Sequence, residues 1–241
     1  MKYIITNFTI AGIWLLAFAC GSPEKPGESM PMIDLRDYRQ PTAKLMEGLV
    51  YCYRDSTGQV KKYEKVQLSM MGDTVLTSTE YDSAGQVSTI EKIAFQGDNY
   101  LFLHGEVTGI PIEIDPVPIT WRQPVNIDSS GYRVNGKIAF GTIEAKFKQV
   151  GFYRDLKDSA LANGYPLADC ILQTLSSKME TSVELTTGDK QLSTILRVVL
   201  AKGVGKVYET HEVPGQPAET FYLSDVISIP AFEARFAGAS K

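Results

Sequence analysis

The sequence predicts a mainly β fold, in which a single antiparallel meander forms a curved half-barrel or an incompletely closed barrel with one or two short helices. Three observations carry this prediction. β-rich runs of about eight to eleven residues recur along the chain, which is a usual strand length. Two kinds of turn signal alternate between these runs. Patterns with the helical period are scarce, and the best helix candidates are residues 155–162 and a turn near residues 33–38.

The first turn signal is a repeated tetrapeptide. Residues 55–66 read DSTGQVKKYEKV and residues 82–93 read DSAGQVSTIEKI, and a third copy of the turn, DSSG, stands at residues 128–131. An aspartate at the first turn position accepts hydrogen bonds from the following backbone, and a glycine at the fourth tolerates a positive φ. The motif therefore predicts β-hairpins. A calcium loop is the alternative, but such a loop needs several oxygen ligands at alternating positions, whereas each copy carries one acidic residue.

The second turn signal is the dipeptide Gly-Asp at residues 72–73, 97–98 and 188–189. With both signals in place, residues 49–106 read as five strands joined by tight turns, which is an antiparallel meander. The second half continues in the same way. Its predicted strands are residues 137–152, 167–174, 180–185, 193–200, 207–213 and 220–229, although residues 171–179 also fit a short helix.

The middle of the chain has a different composition. Residues 108–125, TGIPIEIDPVPITWRQPV, combine four prolines with β-branched residues and a tryptophan. Proline cannot donate a ladder hydrogen bond, so we expect an edge or a loop here rather than a central strand. Such a segment is a candidate lid over a ligand cavity, or it covers an open barrel end as ordinary core. The candidate cavity or lid residues are Trp121, Ile119, Pro118, Met70 and Phe102.

The N-terminus has the features of a lipoprotein signal. Residues 1–19 are the predicted signal peptide, in which a short apolar stretch follows Lys2. Cys20 comes after small residues, as in the lipobox of bacterial lipoproteins. Residues 20–32, rich in Pro, Gly and Ser, would be a flexible tether, and residues 33–241 a single domain. We expect lipidation at Cys20, membrane attachment through that lipid and, from Gly21, an outer-membrane location in the cell envelope facing the periplasm or the surface. An ordinary secretory signal or an uncleaved anchor is the alternative.

Two cysteines remain in the predicted domain, Cys52 and Cys170. Exported proteins form disulfides readily, so these two could pair and close a long loop. They could equally be two separate buried thiols, each packing as a small apolar side chain.

The chemistry of the remaining residues points away from catalysis. The chain holds two histidines, His104 and His211, with no spacing typical of a metal site. It contains no nucleophile elbow, phosphate loop or dinucleotide motif, so we expect no enzyme activity, no metal and no cofactor. The net charge of −4 and the lack of a basic stripe disfavour nucleic acid as a partner.

Two segments resemble a known group of proteins. DYRQP at residues 37–41 with EGLVY at residues 47–51, and LAKGVGKVYE at residues 200–209, are similar to motifs of exported bacterial lipoproteins that share the fold of the carriers LolA and LolB. The resemblance implies a curved half-barrel around an apolar cavity, and hence a non-catalytic lipoprotein that binds a lipid or an acyl chain. The alternative is a structural or adaptor lipoprotein with a packed barrel that contacts another envelope protein. A cavity of about 300 Å³ or more would favour the first.

Overall fold

The structure is a computed structural model that describes residues 31–70, 73–127, 132–141, 143–156, 169–181 and 191–237. Fifteen strands and two α-helices lie in these ranges. The strands are β1 (Met32–Asp34), β2 (Leu49–Arg54), β3 (Val60–Ser69), β4 (Thr74–Asp82), β5 (Val87–Gln96), β6 (Asn99–Val107), β7 (Ile110–Ile114), β8 (Ile119–Thr120), β9 (Arg122–Pro124), β10 (Tyr132–Phe140), β11 (Ile143–Leu156), β12 (Cys170–Thr181), β13 (Gln191–Ala201), β14 (Gly205–Glu212) and β15 (Glu219–Ser228). The helices are α1 (Thr42–Glu47) and α2 (Ile229–Phe236), and a 3-10 turn spans Leu35–Tyr38.

Twelve of the described strands form one closed antiparallel barrel. Strands β2 to β7 pair in chain order, and strands β10 to β15 do the same. β7 pairs with β10 to join the two runs, and β15 pairs with β2 to close the ring. The predicted mainly β antiparallel meander with short helices is therefore confirmed. The closure goes beyond the half-barrel that the sequence suggested, because the last strand returns to the first.

The turn chemistry predicted from the repeat is also present. At the first copy, Asp55 accepts hydrogen bonds from the backbone N–H groups of Thr57 and Gln59 at 2.9 and 3.2 Å. The second copy repeats this at Asp82. The glycines that end the two turns, Gly58 and Gly85, have φ values of +81° and +79°. The third copy, and the Gly-Asp dipeptide at residues 188–189, lie outside the described residues.

The core fills the inside of the barrel. Its side chains come from alternate positions of nearly every wall strand, as the two-residue period of a strand requires. Some wall positions must be glycine so that large rings can lie across them. A Cβ atom on Gly151 would sit 2.1 Å from the Tyr132 ring, and one on Gly105 would sit 2.7 Å from the Phe102 ring.

Residues 31–48, the N-terminal segment, cover one end of the barrel. β1 pairs with β9, the Leu35 N–H donates to the Trp121 carbonyl at 2.9 Å, and the Gly203 N–H donates to the Asp37 carbonyl at 2.8 Å. Asp34 caps the 3-10 turn, which confirms the turn predicted near residues 33–38. β1 begins at Met32, so regular structure starts at the last residue of the predicted tether. The signal and residues 20–30 of the tether lie outside the described residues.

The C-terminal helix α2 packs on the outer wall. Phe232 is buried against Tyr63, with ring centroids 5.3 Å apart, over the outward face of β2 and β3. This helix was not expected from the sequence. The helix predicted at residues 155–162 is not confirmed. Its first two residues belong to strand β11, which continues to Leu156, and residues 157–162 lie outside the described part of the chain. Residues 171–179 belong to strand β12.

The two domain cysteines do not bridge. Cys52 on β2 and Cys170 on β12 are buried thiols that form no disulfide with each other, and they lie in different apolar clusters. Three strands lie between them, so their spacing around the wall is roughly 19 Å at about 4.8 Å per strand. A disulfide requires Cα atoms within about 7 Å. The disulfide prediction is therefore corrected, and the alternative of two separate thiols describes this fold.

The proline-rich segment has two parts. Its first part forms β7, a wall strand that pairs with β6 and β10, which corrects the expectation of an edge or loop. Its second part, β8 and β9, crosses the covered end of the barrel. Among the described residues, no helix is long and apolar enough to span a membrane.

Candidate functional site

A cavity of about 90 Å³ lies inside the barrel, directly beneath the N-terminal segment. Its lining is part apolar and part polar. The polar and aromatic members are Tyr38, Arg39, Gln40, Tyr51, Tyr53, Glu64, Ser78, Glu91, Tyr100, Tyr153 and Lys206, and the apolar members are Leu35, Leu45, Val66, Leu76, Ile93 and Leu200, with Gly205. A site of this size holds several waters or a compact ligand.

The N-terminal segment supplies the roof of the cavity. Leu35 is buried and begins the 3-10 turn, Tyr38 ends it, and Arg39 follows in extended backbone. Pro41 disfavours helical backbone at Gln40, the residue directly before it. Tyr38, Arg39 and Gln40 are only half-buried. The cavity therefore reaches solvent beside them.

Arg39 is the cation of the roof. Its guanidinium lies over two rings, with its central carbon 5.0 Å from the Trp121 centroid and 5.9 Å from the Phe95 centroid. None of the described carboxylates forms an ion pair with it. Burial lowers the pKa of Arg39 from its ordinary value, but an arginine remains protonated throughout the physiological range.

Four tyrosines form the aromatic wall. Burial raises the pKa values of Tyr51, Tyr53, Tyr100 and Tyr153 above the ordinary phenol value, so all four stay neutral and keep a hydroxyl that can donate. The Tyr51 hydroxyl donates to the Val204 carbonyl at 2.9 Å. The wall is thus apolar over the ring faces and polar at the hydroxyl tips.

The floor of the cavity is a buried network of charges on β3, β4 and β14. The Lys206 ammonium lies 2.8 Å from Glu64, 3.1 Å from Glu80 and 2.9 Å from Glu209. Glu64 also accepts hydrogen bonds from the hydroxyls of Tyr53, at 3.1 Å, and Ser78, at 2.8 Å. Burial disfavours each charge, but the opposite charges outweigh it. The pKa of Lys206 is raised, and the pKa values of Glu64 and Glu209 are lowered.

The network extends away from the cavity through a second lysine. Lys62 forms ion pairs with Glu80 and Glu209, and the His211 ring lies 3.0 Å from Glu209. His211 is therefore a buried, hydrogen-bonded histidine rather than a surface residue. His104, the other histidine, is partly exposed and lies 3.6 Å from Glu106.

The charged side chains Lys206 and Glu64 face the cavity and pair with each other at 2.8 Å. This ion pair leaves them poorly placed to move protons at neutral pH. Within the described part of the chain, no cluster of three or more His, Cys, Asp or Glu side chains could hold a metal ion.

The five residues predicted for a cavity or lid lie near this site but do not line it. Trp121, Ile119 and Phe102 are core residues, with 1%, 2% and 8% of their surfaces exposed. Pro118 is exposed, and Met70 is exposed directly after the end of β3. Trp121 comes closest to the predicted role. Its ring packs on the Tyr100 ring, with 4.3 Å between the centroids, and contacts the Arg39 guanidinium.

The residues that do form the cavity were missed for a physical reason. Lys62 and Glu64 alternate with Tyr63 and Lys65, so β3 is polar on both faces and its period does not reveal which face is inside. A signal was nevertheless present in the N-terminal segment. Tyr38 and Arg39 stand shortly before Pro41, which disfavours a helix at Gln40, so large side chains are expected here in a short non-helical segment.

Comparisons with known proteins add a distant structural likeness. No model of a known protein family matches the chain, and no curated protein matches it significantly. One solved structure, provisionally described as an exported protein with a YmcC-like fold from Bacteroides fragilis, has 10% identity and a TM-score of 0.44, covering 75% of this chain and 95% of its own. Another, provisionally described as a lipoprotein from Parabacteroides distasonis, has 10% identity and a TM-score of 0.48, covering 79% and 98%.

Proposed function

We propose that this protein is a non-catalytic lipoprotein of the cell envelope whose barrel binds a small molecule in the cavity beneath the N-terminal segment. The anchor would be Cys20, which stands where a lipobox places the acylated cysteine. The barrel would act as the binding domain, attached to the outer membrane by residues 20–32.

One observation carries the binding proposal: the cavity places a few polar groups within a largely aromatic and aliphatic lining. This composition is typical of small-molecule sites, where apolar walls contribute affinity and a few polar groups fix orientation. A core that served stability alone would gain by filling the space with side chains, because empty volume costs packing energy.

The dimensions restrict the ligand. The cavity of about 90 Å³ is smaller than the 300–1,000 Å³ usual for drug-sized ligands. The charged floor at Lys206 would also meet any long acyl chain that entered further. A compact molecule therefore fits better than the lipid or acyl chain suggested by the resemblance to LolA and LolB.

Native mass spectrometry of the full-length protein, purified in mild detergent from a bacterial host, tests this proposal. We expect a bound species of low mass that is released when the protein is denatured. The matched variant is Leu45→Trp, which adds bulk to the cavity lining, and it should purify without that species. Equal retention by the variant would show that the molecule binds elsewhere, and a ligand-free native protein that takes up nothing from a metabolite mixture would contradict the proposal.

A structural or adaptor role is the second candidate. It is favoured by the filled interior, because most of the barrel core is packed and the cavity is small. In that case the protein would contact another envelope protein through its wall or its open end. Chemical cross-linking in intact cells, followed by identification of one reproducible partner, would support this role over ligand binding.

A further inference from the structure

The roof of the cavity contains a positive charge, Arg39, that forms no ion pair with any of the described carboxylates. Arg39 makes cation–π contacts with Trp121 and Phe95, and the Glu91 carboxylate attracts it electrostatically without forming an ion pair. Arginines at such partly buried positions are usually paired, because an uncompensated charge is costly to desolvate.

The other charges at the cavity are already engaged. Glu64 is matched by Lys206 at 2.8 Å and by two hydroxyls, and Glu91 has an interaction partner as well. Lys206 contacts three glutamates. The Arg39 guanidinium, by contrast, forms no ion pair and no hydrogen bond with any described residue.

The two rings hold the guanidinium between them. The Phe95 and Trp121 planes are 78° apart, so the group lies against two walls of an aromatic corner. No described residue accepts a hydrogen bond from it, so its N–H donors remain available. Those donors match the two oxygens of a carboxylate in a bidentate pair.

We propose that the cavity recognises small monocarboxylates, with the carboxylate paired to Arg39 and a short aliphatic or aromatic body packed among the tyrosines. This inference rests on the proposed binding function and names its ligand class. The cavity volume limits the body to a few carbon atoms or one ring that partly protrudes past the half-buried roof.

Calorimetric titration of the purified full-length protein with acid and amide pairs tests the class. The probes are butyrate against butyramide and benzoate against benzamide, since each pair has nearly the same shape and differs in charge. We expect each acid to bind at least about tenfold more tightly than its amide, which is the usual effect of a charge-assisted hydrogen bond. Arg39→Gln should reduce acid binding by a similar factor and leave the amide unchanged.

The control variant is Arg133→Gln, which removes an exposed arginine from the outer face of β10 and should leave acid binding unchanged. Thermal midpoints of both variants establish that they are folded. Amides that bind as tightly as acids, or acid binding that survives Arg39→Gln, would overturn the carboxylate assignment while leaving a binding function intact. No binding of any of the four probes would overturn the assignment too, and the mass-spectrometric result then decides the binding function separately.

Discussion

Buried charge is the main feature of this barrel at the scale of single residues. Lys206 has 5% of its side chain exposed and Glu209 has 2%, so both have lost their hydration. Mutual attraction offsets that loss because each charge has several partners at 2.8 to 3.1 Å. Replacing a complete network with apolar residues can leave the stability of a protein unchanged. Removing one member is costly, because its partners stay buried as uncompensated charges.

Lys206→Met should therefore destabilise the protein strongly. The substitution leaves Glu64, Glu80 and Glu209 with Lys62 as the main cation beside them. We expect a loss of about 3 to 5 kcal/mol in the free energy of unfolding, measured by urea denaturation. Lys146→Met is the control, because Lys146 is 75% exposed and should contribute less than about 1 kcal/mol. Equal effects of the two substitutions would contradict a structural role for the network.

The same network sets a pH window for stability. The pKa values of Glu64 and Glu209 are lowered from 4.5, so their stabilisation is present above about pH 4.5 and is lost as the pH falls through the folded values. The pKa of Lys206 is raised from 10.5, so its stabilisation is present below about pH 10.5 and is lost at higher pH. We expect a stability plateau between these limits in urea titrations at a series of pH values. A maximum below pH 4 would contradict this assignment.

At the scale of elements, local chemistry explains what the sequence could predict. The hairpin turns follow from Asp55 and Asp82 and the glycines after them, because a turn depends on four neighbouring residues. Helix α2 was missed since it is short and its apolar stripe consists of three residues, Ile229, Phe232 and Phe236. Ser228 as N-cap and Pro230 in the first turn were the available signals.

The two copies of the turn allow the docking of α2 to be measured. Gly58 and Gly85 share φ values near +80°, but a Cβ atom on Gly58 would meet nothing within 4 Å, whereas one on Gly85 would lie 2.7 Å from the Phe236 ring. Gly58→Ala should cost about 1 kcal/mol through the left-handed backbone alone. Gly85→Ala should cost more, because the helix must shift.

Denaturation of Gly85→Ala in a Phe236→Ala background separates the two terms. Without the ring, the additional cost at Gly85 should disappear, leaving the same backbone term as at Gly58. An additional cost that persists would mean that α2 does not lie against this turn.

At the scale of the whole molecule, the order of the strands could be predicted from the sequence, whereas the closure of the barrel and the residues of its cavity could not. Sequential antiparallel pairing follows from tight turns, so β2 to β6 were recognisable in order. The pairing of β15 with β2 joins residues over 170 positions apart, such as Cys52 with Asp225, and no local signal specifies it. The cavity depends on this closure, because it joins Tyr51 and Glu64 to Lys206. Its residues therefore could not be grouped from the sequence.

The last prediction concerns the attachment of this barrel to the envelope. If Cys20 is acylated, its chains contribute about 0.8 kcal/mol for each buried methylene, enough for stable anchoring with two or more chains. Metabolic labelling with a palmitate analogue should then mark the native protein and recover it with membranes, while Cys20→Ser should be unlabelled and absent from the lipid-anchored fraction. Cys52→Ser and Cys170→Ser are matched controls from the same chain, and both should keep the label because those thiols are buried in the barrel wall. Label that survives Cys20→Ser would place the anchor elsewhere and remove the basis for a tethered barrel.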